Sequence, residues 1–330
     1  MKLPSRVQAD THEVISVIVC CYNEAHVLPE FHRRLMLVMD TLAVAYEVLY
    51  VNDGSQDGSC ELLEAFCRAP RIRCLNLSRN FGKESAMSAG LDHASGDALL
   101  FIDADLQDPP ELIPLMVRQW LAGHDIVNMQ RSDRRSDTAG KRLGAQLYYK
   151  LMNLLVDKYP VPPDVSDFRL IGAAPLHALR NMPERATLMK GLVNWLGFKT
   201  VEIPYQRARR GAGQSKWSPM ALVDLAMEGV LAFSRKPLRW FSLLSLAILL
   251  LTGGYLLRQW LIDAFDVHHL ILGALALALV GIAMVGEYIG ATLVEVKRRP
   301  LYFLRSTFGG FPRRLQAPPA VPSSEQDEIR

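Results

Sequence analysis

No two cysteines in this 330-residue chain form a CxxC pair, and the five present, Cys20, Cys21, Cys60, Cys67 and Cys74, are odd in number. Zinc sites use closer pairs than the seven-residue spacing of the last three, so reduced, packed thiols are expected rather than a metal centre. Strong net charge is missing too. The formal balance is +3, which argues for no particular partner and gives no reason to expect nucleic acid. A secretory signal is absent from the start of the chain: residues 1–13 are polar, and VISVIVCC is too short for an apolar core with a cleavage site. The bulk of the chain is therefore expected in the cytosol. A Walker phosphate loop is also lacking, because GAGQSK does not have the GxxxxGK spacing. Apolar residues, by contrast, make up 50% of the chain, high for a soluble protein and low for a polytopic transporter.

From residue 14 to 130 two patterns alternate. Runs rich in β-branched residues predict strands over 14–20, 46–52, 72–77, 98–103 and 125–129. Between them, apolar residues at three- and four-residue spacing predict helices over 24–43, 57–68, 83–94 and 111–122. Such alternation implies a mostly parallel α/β sheet with helices on both faces, and ligands that bind beyond the carboxyl ends of its strands. Residues 131–217 are less regular. Helical stretches at 141–156 and 186–196, the segment SDFRLIG, a strand at 199–205 and the basic loop QRARRGAGQSKW are read as the acceptor half of the same domain.

Residues 219–234 have the spacing of an amphipathic helix. Trp240 to Leu257 then gives 18 residues without a charge, and Leu270 to Gly286 gives 17 more. Both approach the roughly 20 residues that span a bilayer, and a short linker joins them, so a two-span transmembrane hairpin is expected. Arg235, Lys236 and Arg239 precede it, and Lys297, Arg298 and Arg299 follow it. The positive-inside rule then places both flanks in the cytoplasm. Glu287, near the inner end of the second span, is either a functional polar contact or a side chain reaching the interface. The domain expectation is a catalytic domain over 1–218, an interfacial helix over 219–238, the hairpin over 239–294, and a basic flank with a disordered tail over 295–330.

Chemistry concentrates at the predicted strand ends. Asp103-x-Asp105-x-Gln107 closes the fourth strand with two carboxylates and an amide oxygen, hard ligands suited to Mg²⁺ or Mn²⁺. Such a metal would neutralise charge on a nucleoside diphosphate leaving group. Asp53, in VNDGSQDG, either accepts from a base or ribose or simply forms an Asp-Gly turn. Tyr22-Asn23-Glu24 either caps the next helix or touches a nucleotide. Arg207, Arg209, Arg210 and Lys216 form either a solvated face or a phosphate-binding loop, with Gly211 and Gly213 for flexibility.

In order, VIVCCYNE, VNDGSQDGS, RNFGKESAMSAG, DADLQDPPE, SDFRL and RARRGAGQSKW resemble the family 2 glycosyltransferases of GT-A fold. The likeness is greatest to the polyprenyl-phosphate branch and runs from about Val14 to Val294. It implies a nucleotide-sugar pocket of Tyr22, Glu24, Asp53 and Lys83, with Asp103 on the donor. It implies metal on Asp105 and Gln107 with Asp103 nearby, an acidic residue at Asp167 beside the reaction centre, and phosphate contacts from Arg131, Arg207, Arg210 and Lys216. Asp105 and Asp167 are the residues expected to carry catalysis. Cys20 stands where the family usually has proline, which bears on local backbone shape.

The expected reaction is inverting transfer of a hexosyl group from a UDP-sugar, UDP-glucose or a relative, to undecaprenyl phosphate at a membrane. GDP-mannose and aminoarabinose transfer fit the same branch. A processive synthase does not, because the only Arg-Trp, in KPLRW, lacks the glutamine of QxxRW. A catalytically dead scaffold would have no need of Asp103, Asp105, Gln107 and Asp167 together. The hairpin could also pack between copies of the chain.

Overall fold

The computed structural model describes residues 13–132, 165–182, 189–207, 236–261 and 268–310. The expected helix at 141–156, Arg209, Arg210 and Lys216 of the basic loop, all of the expected interfacial helix at 219–238 except 236–238, which begin a longer helix, and the tail beyond 310 lie outside the described residues.

Eight strands make one sheet: β1 (Val14–Cys21), β2 (Ala45–Asn52), β3 (Ile72–Leu77), β4 (Ala98–Asp103), β5 (Ile126–Arg131), β6 (Val165–Ile171), β7 (Thr200–Tyr205) and β8 (Leu304–Phe308), in the order β7-β5-β6-β4-β1-β2-β3-β8. β1 pairs in parallel with β2 and β4, β2 with β3, and β5 with β7. β6 runs against β4 and β5, and β8 runs against β3. The mostly parallel α/β sheet expected from the alternating patterns is therefore present.

Helices cover both faces, as the doubly buried strands require. On one side lie α1 (Leu28–Met39), α2 (Ser59–Phe66) and α4 (Ile113–Leu121), which pack on Val17, Val19, Val48, Tyr50 and Leu100. On the other lie α3 (Lys83–His93), α5 (Ala173–Arg180) and α6 (Met189–Trp195), around Ile18, Leu49, Val51 and Leu99. α1 shows why such segments are helical. Leu28, Phe31, Leu35 and Met39 recur at helical spacing and are fully buried, and Pro29 sits in the first turn, where a missing N–H costs nothing.

Two long helices follow, α7 (Lys236–Leu261) and α8 (His268–Lys297). At 1.5 Å per residue they are about 39 and 45 Å long, longer than the ~30 Å core of a bilayer. Leu250, Leu251, Ile282 and Leu293 are among their many exposed apolar side chains. The helices meet where a side chain is absent: a Cβ on Gly281 would lie 2.7 Å from the ring of Phe241. Among the described residues one helix, within Gly273–Lys297, is long and apolar enough to cross a membrane, and the apolar stretch of α7, Leu243–Tyr255, is shorter.

Beyond α8 the structure departs from the sequence reading, which assigned 295–330 to a flank and a disordered tail. Residues Leu304–Phe308 form β8 and close the β3 edge. The strand is short and mostly exposed, so no alternation marks it. Its partner supplies the order through ladder hydrogen bonds, with Ser78 N donating to Phe303 O at 2.8 Å just before it. Ending the chain at Arg299 should bare the β3 edge and lower the thermal midpoint of the detergent-solubilised protein by about 5 °C or more. Differential scanning fluorimetry reads this directly; an unchanged midpoint would mean that β8 adds no stability.

Candidate active site

The antiparallel course of β6 brings its amino end to the edge where the parallel strands end. That places Asp167 beside Asp103, the last residue of β4. Lys83, the first residue of α3, reaches both: its Nζ lies 2.6 Å from Asp103 Oδ2 and 2.7 Å from Asp167 Oδ2. Burial would push the Lys83 pKa down, but the two carboxylates outweigh it and hold it well above the usual lysine value. The ammonium therefore keeps its charge at neutral pH and screens two anions that would otherwise repel. Below them Arg169 is fully buried, donating from Nη2 to Ser166 O at 3.0 Å and lying 3.9 Å from Asp167 Oδ1. Burial pushes its guanidinium pKa down against the pull of Asp167 and Glu84.

After β4 the chain makes a tight acidic turn. Leu106 sits at φ 60°, a left-handed backbone uncommon for a leucine, and such outliers concentrate at ligand sites. The turn sets Asp105 and Gln107 together, with Gln107 N donating to Asp105 Oδ1 at 3.0 Å. The next residue, Asp108, is fully buried. The Tyr205 hydroxyl donates to its Oδ1 and the Ser166 hydroxyl to its Oδ2. Arg207 joins this cluster, with Nε 3.4 Å from Asp108 Oδ1 and Nη2 3.9 Å from Asp105 Oδ2. Burial raises the Asp108 carboxyl, opposed by the Arg207 charge. For Arg207 burial acts downward, and Asp108 with Asp105 overcomes it and raises the pKa. The root of the basic loop is thus pinned to the acidic turn. Arg131 ends β5 in register with Tyr205, and its charge favours the ionised form of Asp108.

Loops after β1, β2 and β3 complete the edge. Asn23 has φ 54°, which its short amide side chain tolerates. Its N donates to Ser55 Oγ at 2.9 Å, and its Oδ1 accepts from Gln56 N at 2.8 Å. Glu24 N donates to Ser59 Oγ at 3.1 Å. At the start of α1, Glu24 O accepts from Val27 N at 2.9 Å and from Leu28 N at 3.0 Å, and the N-cap residue, Val27, makes no side-chain cap. Asp53 is almost fully buried and accepts from Phe81 N at 2.7 Å and Gly82 N at 3.0 Å. Burial raises its pKa and these two N–H groups oppose the rise. It is more than a turn residue: it ties the β2 loop to the start of α3. Gly54 permits that contact, since a Cβ there would lie 2.4 Å from the Arg79 carbonyl carbon.

The model for glycosyl transferase family 2 matches residues 16–180. The chain is 38% identical over 308 residues to the SfII prophage-derived bactoprenol glucosyl transferase of Shigella flexneri, covering 90% of this chain and 99% of that one. It is 37% identical over 305 residues to an uncharacterized glycosyltransferase of Synechocystis, covering 89% and 96%. The chain belongs to glycosyltransferase family 2. Among solved structures, mannosyl-3-phosphoglycerate synthase from Rubrobacter xylanophilus aligns with a TM-score of 0.49 at 16% identity, over 66% of this chain and 72% of that one.

In this glycosyltransferase Lys83, Asp103 and Asp167 form one cluster, and Asp105, Arg207 and Arg131 gather around buried Asp108. Asp53 lies one loop away and touches the residue before Lys83. Sequence reasoning did not single out Asp108, Tyr205, Ser166 or Asn52. Asp108 left a trace as the fourth polar residue of DADLQD, ahead of two prolines; Tyr205 and Ser166 left none, since only the fold makes them its partners.

The donor set suits a Mg²⁺ or Mn²⁺ ion. Among the described residues no three His, Cys, Asp or Glu side chains group as a metal cage. The acidic turn offers the Asp103 and Asp105 carboxylates and the Gln107 amide oxygen, hard donors of the kind Mg²⁺ or Mn²⁺ takes alongside phosphate and water. Replacing Lys83 by methionine should leave two carboxylates facing each other without their cation. The rate of glycosyl transfer is expected to fall about 100-fold or more, with the circular dichroism spectrum retained. A variant with wild-type rates would remove Lys83 from the site.

Proposed function

We propose that this glycosyltransferase moves a hexosyl group, glucose first among candidates, from a UDP-sugar to a polyprenyl phosphate such as undecaprenyl phosphate, with inversion, at the cytoplasmic face of the inner membrane. The observation that carries the reading is the layout of charge at the sheet edge. An acidic turn suited to a cation lies against Lys83, Arg131 and Arg207, so two phosphate-bearing reactants can meet without mutual repulsion. The bactoprenol glucosyl transferases, similar along nearly the whole chain, support the choice of acceptor and sugar.

In this scheme Asp103, Asp105 and Gln107 would hold Mg²⁺ or Mn²⁺, which supplies charge neutralisation for the departing diphosphate. Tyr22, Glu24 and Asp53 line the nucleotide side. Arg131 and Arg207, with Arg210 and Lys216 further along the loop, receive the lipid phosphate; planar guanidinium groups match its oxygens. A phosphate oxygen attacks the anomeric carbon as the bond to the nucleoside diphosphate breaks. Phosphate monoesters have a second pKa of roughly 6, so the acceptor is mostly dianionic at neutral pH and needs no strong base. Asp167 then acts chiefly by position, holding Lys83 at the reaction centre.

The hairpin of α7 and α8 is read as two membrane spans. Its exposed apolar faces support this, as do the basic residues Lys297, Arg298 and Arg299 at its inner end. β8 adds a parity argument in support: strands before and after the hairpin share one sheet, which fits a chain that leaves through α7 and returns through α8. A reporter fused to the C-terminus should therefore read as cytoplasmic, and a periplasmic signal would refute the two-span reading.

For the chemistry, purified protein with undecaprenyl phosphate, Mn²⁺ and radiolabelled UDP-glucose should move label into the organic phase. EDTA should stop it, and Asp105→Ala should lower the rate about 100-fold or more. Full activity in EDTA would overturn the metal assignment. Transfer from GDP-mannose but not from UDP-sugars would overturn the donor.

A further inference from the structure

β8 does more than close an edge. Asn52, Asn76 and Ser306 are direct register partners across β2, β3 and β8, at the end of the sheet that carries the site. Both asparagines are nearly fully buried. Buried amides are costly unless paired, and these pair in sequence. Asn76 Nδ2 donates to Ser306 Oγ at 3.0 Å, and Asn52 Nδ2 donates to Asn76 Oδ1 at 2.9 Å. Ser55 N donates to Asn52 Oδ1 at 3.1 Å, and Ser55 Oγ accepts from Asn23 N. The row runs from the segment after the hairpin into the loops that follow β1 and β2.

A second link starts three residues earlier. Phe303 O accepts from Ser78 N, and the Phe303 ring lies 6.3 Å from that of Phe81, tilted by 49°. Phe81 N in turn donates to Asp53. Between the two links the β3–β8 register shifts at Asn76 and Leu77, an irregularity of the kind that re-aims backbone beside functional sites. An edge strand that served only to cap the sheet would need its backbone ladder and nothing else. Here side chains extend the contact to the loops bearing Asn23 and Asp53, by a row of polar groups and by the ring of Phe81, which also packs on the apolar core.

We propose that Ser306 and Phe303 are positioning residues for the nucleotide: from beyond the hairpin they hold the loops after β2 and β3 in the shape that receives the donor. The proposal rests on the donor reading given above. Ser306→Ala would strand the Asn76 amide and loosen Asn52, and with it the 52–55 loop. Ser306→Thr keeps the hydroxyl.

The test uses the full-length protein in detergent, with UDP and Mn²⁺ by calorimetry and steady-state kinetics for both substrates. Ser306→Ala should raise the UDP Kd and the donor KM about fivefold or more, the scale of one buried group left unpaired, with acceptor KM and kcat close to wild type. Ser306→Thr should restore donor binding, and Phe303→Ala should shift the same constants as Ser306→Ala. Unchanged UDP affinity in Ser306→Ala would overturn the proposal. So would equal losses for donor and acceptor, which would mark a purely structural strand. Failure of the wild-type chain to bind any nucleotide would overturn the donor reading itself, and this proposal with it.

Discussion

One ammonium group organises the site. Lys83 stands between Asp103 and Asp167, which come from strands running in opposite directions and are drawn together at the sheet edge. Two carboxylates held that close would otherwise repel. The lysine is itself fixed by its place at the start of α3, whose preceding loop is gripped by Asp53. The position of this cluster thus depends on a chain of charge and backbone contacts that begins at the end of β2. Around it the same logic repeats. Buried Asp108 is tolerable because Tyr205, Ser166 and Arg207 converge on it, and that convergence ties the basic loop to the acidic turn.

Much of the first half was legible in the sequence because the strands there are largely buried on both faces and announce themselves as short, mostly apolar runs. The strands at 72–77 and 98–103 match their expected limits, and the polar ends of β1 to β4 do meet at one edge. Asp103 and Asp167 could be named from the residues and the family resemblance. What could not be read was their distance, since that depends on β6 being antiparallel, and SDFRLIG carries no sign of direction. Asp108 was hidden for a related reason. Its importance lies in burial, and among the four polar residues of DADLQD nothing in the spacing tells which one faces inward. β8 was hidden because its order comes from β3 rather than from its own composition.

In the chain the hairpin of α7 and α8 lies between β7 and β8. Here the contact between β3 and β8 makes the hairpin an insertion within the domain: the sheet begins before it and ends after it. That arrangement explains how a segment more than 200 positions away in the chain can reach the loops of the first strands, as the hydrogen bond between Asn76 and Ser306 shows.

Synthesis on the ribosome gives this arrangement a temporal meaning. β8 is made only after both helices of the hairpin, so the nascent sheet waits with the β3 edge open and the Asn76 amide short of its last partner. An open edge is a template for pairing with the wrong chain. Completion of the sheet therefore waits until the hairpin has been made. A chain whose hairpin fails to settle keeps an unfinished sheet, exposed to aggregation and to the proteases that remove such intermediates.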